Sequence, residues 1–204
     1  RATKPGIFKT HDLFRVVACA DEQGSYGCEI IINPSSVLGS NHKFGKHIRI
    51  EFENISIVYG DPRLLIVRCS AKGLFDFFII SAHAPYKNCK QSAGEYWKFF
   101  SSKINQVCTT GIPRLCLVDA NVQMFNFDKW NDCCDIGILQ SKAPANFHSF
   151  ANACEECAIR PSNCSDNNLL SGRIGTFIPN RGTKQIGLDY IMHSSDLHVK
   201  SKSI

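Results

Sequence analysis

A chain of 204 residues with 44% hydrophobic and 20% charged residues can build a sizeable core, which excludes a disordered or low-complexity protein. Its formal net charge of +5 is spread along the sequence, so a polyanionic partner is permitted but not demanded. No apolar run approaches membrane-spanning length and no signal-peptide pattern opens the chain, so no membrane partner is expected.

Strand-like runs dominate the first half. The apolar spacing predicts strands over 13–19 and 28–32, the second entered by the turn Gly24-Ser25-Tyr26-Gly27. Further strands are expected over 48–52, 55–59 and 64–69, with Asp61-Pro62 as a turn before the last of these. Residues 74–81 are nearly all apolar, as in a central strand covered on both faces. The period then changes. Ser92 and Glu95 form a capping box, behind which Trp97, Phe100, Ile104 and Val107 recur at helical spacing. Gly111 and Pro113 end that segment. A short strand over 114–118 delivers Asp119, and Phe147, Phe150, Ala151, Cys154 and Ala158 mark a second amphipathic helix. The last strand is expected over 186–192. Many strands with hairpin-like spacing and few helices argue for a layered α/β sandwich of mostly antiparallel sheets, not a doubly wound parallel sheet.

Eleven cysteines are an odd count in a chain too long to be a small disulfide scaffold. Cys19, Cys28, Cys69 and Cys116 lie in apolar runs, where they act as small core hydrophobes. The expectation is a reduced, intracellular protein, nuclear or cytoplasmic and not secreted. Cys154-Glu155-Glu156-Cys157, with Cys164 and the Cys133-Cys134 pair, invites a zinc reading, but Cys154 falls on the apolar stripe and core packing is the simpler account. The basic stretch His42, Lys43, Lys46, His47, Arg49 is explained by a solvated loop at least as well as by a phosphate track.

Three strand exits carry chemistry. Asp119 and Asn121 stand two apart, and on a continuing strand both would face one site. A carboxylate there can take a proton from water, and an amide can orient that water or bond a phosphate oxygen. Taken alone, Asp-x-Asn is more economically a turn that caps backbone groups. His83 follows the buried run 77–82 and precedes Pro85, where it can donate to a phosphate oxygen, protonate a leaving alkoxide or simply bond a loop carbonyl. Asp189, inside an apolar strand, needs a partner: a catalytic imidazole, or a structural cation such as Arg173 or Lys184.

In this order the pieces resemble the endonuclease/exonuclease/phosphatase superfamily. Ser81-Ala82-His83-Ala84-Pro85 is similar to its Tyr/His-x-Pro strand exit, Val118-Asp119-Ala120-Asn121 to its Gly-Asp-x-Asn element and Leu188-Asp189-Tyr190-Ile191 to its Arg-Ile-Asp-Tyr-Ile element. Gly175-Thr176-Phe177 resembles the Thr-Trp element ahead of the last strand, and 26–31 resembles the Gly-Gly-Val-Ala-Ile strand. Asp119-Ala120-Asn121 and Phe147-His148-Ser149-Phe150 look closest to LINE-type retrotransposon endonuclease domains.

The resemblance implies a four-layer α/β/β/α sandwich, that is, two mostly antiparallel sheets flanked by helices. It implies a metal-dependent phosphodiester hydrolase that uses Mg²⁺ or Mn²⁺ on nucleic acid, DNA before RNA. Asp119 would activate the attacking water, Asn121 would hold that water or a phosphate oxygen, His83 would contact the scissile phosphate, and Asp189 would orient a terminal histidine. The family's metal-binding Glu would fall before Arg1. Ser194-Ser195-Asp196-Leu197 imitates the final Ser-Asp-His with Leu197 in place of the histidine. Residues 1–204 are therefore expected to form a partial, incomplete domain with N-terminal and C-terminal strands missing, and little nuclease activity of its own. Two alternatives share the scaffold: a phosphatase of small phosphorylated metabolites, and an inactive relative that binds nucleic acid or a protein.

Overall fold

The computed structural model describes residues 4–20, 27–41, 46–86, 92–122, 145–161 and 189–194. The chain divides into two compact units, Arg1–Ala82 and His83–Ile204.

The first unit is a β-structure with its own core. Strands β1 (Gly6–Lys9), β2 (Phe14–Val17) and β3 (Glu29–Ile32) form an antiparallel sheet in that order. Side chains alternate across a strand, and the register Phe14↔Ile32 and Val16↔Ile30 gathers the apolar residues on one face. Arg15 and Ile31 take the other face. A short pair, β4 (Gly39–Asn41) and β5 (Lys46–Ile48), follows. Next come β6 (Ile55–Asp61), β7 (Leu64–Ala71) and β8 (Phe75–His83), each antiparallel to its neighbour; the last residue of β8 opens the second unit. Phe14, Val16, Ile30 and Ile32 of the first sheet share one buried core with Ile55, Leu65, Val67, Cys69 and Ile79. Leu64, Leu65, Ile66 and Val67 are all at 0% exposure, so both faces of β7 are covered, and β8 buries Phe78, Ile79 and Ile80 consecutively in the same way.

The strand expected over 48–52 does not form. β5 stops at Ile48, and Phe52–Asn54 make one turn of 3₁₀ helix. The apolar alternation of Ile48, Ile50 and Phe52 mimics a strand, but Asn54 Oδ1 accepts the Glu51 N–H at 3.0 Å, a local bond that competes with sheet pairing. The Asp61-Pro62 turn does form: Asp61 Oδ1 accepts the Arg63 and Leu64 N–H groups at 2.7 and 2.9 Å.

In the second unit, α1 (Ala93–Val107) opens on the expected capping box. Ser92 Oγ accepts the Glu95 N–H at 3.2 Å, and Glu95 Oε2 accepts the Ser92 N–H at 3.0 Å. Its buried stripe is Tyr96, Trp97, Phe100, Ser101 and Ile104. Strand β9 (Arg114–Asp119) follows, then α2 (Ala145–Glu156), β10 (Ile159–Pro161) and β11 (Asp189–Ser194). Ala158, expected on the stripe of α2, lies past its end with φ 48°. The expected last strand over 186–192 falls partly outside the described residues; its described part extends to Ser194. β11 lies between β10 and β9, antiparallel to both. Trp97 stacks on Phe150 with ring centroids 4.6 Å apart, and Phe150 meets Tyr190 at 5.5 Å. Both contacts join the helices to one face of the β9–β11 ladder. Arg114 ties β9 to the end of α2, its guanidinium donating to the Cys157 carbonyl at 2.9 Å.

Among the described residues the chain is thus an α+β fold with two larger, mostly antiparallel sheets, the separate β4–β5 pair and a few helices, as the strand pattern led one to expect. No helix among the described residues is long and apolar enough to cross a membrane.

Candidate active site

Strand parity decides where the acidic groups point. On β9, Arg114, Cys116 and Val118 are buried; on β11, Tyr190 and Met192 are buried. Asp119 and Asp189 have the opposite parity and so belong to the face away from the helices. The antiparallel register pairs Asp119 directly with Asp189, at the last residue of β9 and the first of β11. Two carboxylates thereby stand opposite each other at one end of the ladder, an arrangement that like-charge repulsion disfavours unless a cation or a proton is shared.

His83 reaches the same end from β8. The N–H of Ala84 donates to the Asp119 carbonyl at 2.8 Å, which brings the exit of β8 against the exit of β9. His83 Nε2 then lies 3.6 Å from Asp119 Oδ2, with both side chains a little over one-third exposed. The pair is in ion-pair range and open to solvent.

Asn121 does not continue the strand. β9 ends at Asp119, Ala120 is buried, and Asn121 adopts φ 48°, a left-handed conformation that Asn tolerates better than most residues. Of the two readings of Asp-x-Asn, the strand in which both side chains face one site gives way to the turn that caps backbone groups. The Asn121 N–H donates to Asp119 Oδ1 at 3.1 Å, and its Nδ2 donates to the Ala84 carbonyl at 2.8 Å. One residue further on, the Val122 carbonyl accepts the buried Tyr190 hydroxyl at 2.8 Å.

This environment raises the Asp119 pKa above the ordinary carboxylate value. Burial is the main cause; the Asn121 N–H and His83 pull it down, and the charge of Asp189 pushes it up again. The net result is a carboxylate of increased basicity, 3.6 Å from an imidazole and reachable by water.

His83, Asp119, Asn121 and Asp189 thus come together at one end of the ladder. His193 does not join them. It is buried, lies four residues along β11 from Asp189, about 13 Å at strand rise, and its Nδ1 is 2.8 Å from the Ser194 carbonyl oxygen. His198, residues 195–197, Thr176, Arg173 and Lys184 lie outside the described residues. So do Cys133, Cys134 and Cys164. Cys154 is buried with its Sγ 3.8 Å from Met192 Sδ, and burial pushes the Cys157 thiol up to about 12. Among the described residues no three metal-ligating side chains cluster. Tyr190, which braces the turn after Asp119, was not singled out from the sequence; its signal was a hydroxyl in an apolar strand, which needs a buried acceptor.

No family profile and no curated protein sequence matches this chain. Solved structures do. One is a mannosyl-6-phosphatase of Bacteroides thetaiotaomicron: 17% identity, TM-score 0.42, covering 76% of this chain and 57% of that one. Another is an endonuclease/exonuclease/phosphatase family protein of the same organism, at 15% identity and TM-score 0.40, covering 78% and 61%. The human Nocturnin catalytic domain is similar at 12% identity and TM-score 0.36, covering 71% and 50%. The chain spans about half to three-fifths of the length of these proteins.

Proposed function

We propose that the chain is a member of the endonuclease/exonuclease/phosphatase superfamily whose activity is metal-dependent hydrolysis of phosphodiester bonds in nucleic acid. The observation that carries this reading is the His83–Asp119 pair, 3.6 Å apart and directly across the ladder from Asp189. Asp119, made more basic by its surroundings, accepts a proton from the water that attacks phosphorus. The new P–O bond forms as the bond to the leaving oxygen breaks. His83 donates a hydrogen bond to a non-bridging phosphate oxygen, stabilising the charge that grows there. The chemistry of the donor set fits a hard divalent cation: Mg²⁺ needs only one or two protein carboxylates and keeps its waters, and Asp189, directly across the ladder from Asp119, would supply one. Such an ion, Mg²⁺ or Mn²⁺, would neutralise charge on the phosphate.

DNA as the preferred substrate, a retroelement-type parent and an intracellular setting are parts of the same proposal. The positive net charge supports a nucleic-acid substrate, the form of Asp119-Ala120-Asn121 a retroelement-type parent, and the odd number of cysteines, several of them in apolar runs, an intracellular setting. The test is plasmid nicking with Mg²⁺ or Mn²⁺, by this chain and by the chain with its natural flanking sequence. Nicking in either form that Asp119→Asn abolishes supports the reading. Release of phosphate from small phosphomonoesters without nicking would move the assignment to a phosphatase. No hydrolysis by either form would leave a binding protein.

A further inference from the structure

We infer that Asn121 is a positioning residue, a strut that sets His83 against Asp119. The inference rests on the hydrolase reading above and deepens it. The carboxamide nitrogen is engaged: Nδ2 donates to the Ala84 carbonyl at 2.8 Å. Ala84 is at 0% exposure and is the residue directly after His83. The Ala84 N–H in turn donates to the Asp119 carbonyl at 2.8 Å, and the Asn121 N–H donates to Asp119 Oδ1 at 3.1 Å. These three bonds close a small ring around the two catalytic side chains. The peptide bearing His83 is tied to the β9 exit through both its following N–H and its following carbonyl, and one Asp119 oxygen is held while the other faces His83 Nε2 at 3.6 Å. The left-handed φ of 48° is what turns the Asn121 side chain back toward Ala84.

Removing the carboxamide takes the donor from a buried carbonyl and lets the His83 peptide drift from Asp119. Displacements of about 1 Å at a reacting pair can cost roughly a hundredfold in rate. Two variants test this in the full chain. Asn121→Gly keeps the left-handed backbone and adds no charge; Asn121→Asp keeps size and backbone preference but presents an acceptor to an acceptor. Two readouts need no activity: amide hydrogen exchange at Ala84, and the backbone amide chemical shift of His83 in Asn121→Gly. A strut predicts exchange at Ala84 at least about tenfold faster in both variants and a displaced His83 amide resonance. It also predicts kcat reduced about 10- to 100-fold with KM changed less than about threefold. Unchanged Ala84 exchange, or faster exchange with an unmoved His83 resonance, overturns the inference. So does a loss that falls on KM alone. If the wild-type chain hydrolyses nothing, the hydrolase reading fails by itself, while exchange and chemical shift still decide whether the strut exists.

Discussion

The bond from Tyr190 to Val122 offers the sharpest test of how the site is held. Tyr190 is 2% exposed, and its hydroxyl donates to the Val122 carbonyl, itself on a 2%-exposed residue, at 2.8 Å. Tyr190→Phe removes one oxygen and leaves the ring against Phe150, so the apolar packing survives. The loss has two parts. A typical intramolecular hydrogen bond contributes about 1 kcal/mol net, and a buried carbonyl left without a donor costs about 1–3 kcal/mol if water cannot reach it. Partial relaxation of the 120–122 turn reduces the second part, so the expected destabilisation is about 1.5–2.5 kcal/mol. Urea unfolding followed by helical circular dichroism is the assay, since both described α-helices belong to the second unit. The midpoint should fall with the slope unchanged. A midpoint shift equivalent to less than about 0.3 kcal/mol would refute the argument, because it would mean that the hydroxyl is as well satisfied by solvent in the unfolded chain and that Val122 is not pinned.

Further outcomes follow from the structure and from the proposed hydrolysis. Asp119→Asn should reduce phosphodiester hydrolysis by about 10²–10⁴-fold in steady-state assays. The raised Asp119 pKa has a sign: the folded chain holds this proton more tightly than the unfolded chain, so its contribution to stability is present at low pH and lost as pH rises through the folded value. Asp119→Asn should therefore be no less stable than wild type at pH 7 in metal-free thermal melts. Arg114→Met, which deletes the charged donor to the Cys157 carbonyl from a residue 9% exposed, should lower stability by about 1.5–3 kcal/mol in the same urea assay. Burial pushes the thiols of Cys69 and Cys157 up to about 12 and that of Cys108 up to about 11, so at pH 8 these three should react with a thiol reagent only at the rate of unfolding, read by peptide mass.

Much of the scaffold was legible because its signals are local. Ser92 and Glu95 close a capping box within one turn, and the apolar periods of 64–69 and 96–104 report burial directly. The short strands Gly6–Lys9, Gly39–Asn41 and Ile159–Pro161 are three or four residues long, too few for a period to emerge. The site divides the same way. Asp119 and Asp189 could be seen as strand-end carboxylates, but their direct opposition depends on the register of β9 with β11, two strands 70 residues apart in sequence. The strut from Asn121 to Ala84 depends on a left-handed turn that an Asp-x-Asn pattern permits without requiring. Strand parity would put Asn121 beside Asp119 as a parallel partner, but the backbone reverses first, as the turn reading of Asp-x-Asn allows.

The most direct test of the account is a double-mutant cycle on His83 and Asp119, read by Mg²⁺-dependent cleavage of a phosphodiester in this chain and in the chain with its natural flanks. If the two side chains act on one phosphate, His83→Ala and Asp119→Asn should each abolish most of the cleavage, and the double variant should lose little more. Cleavage that survives either single change, or losses that simply multiply, would contradict it.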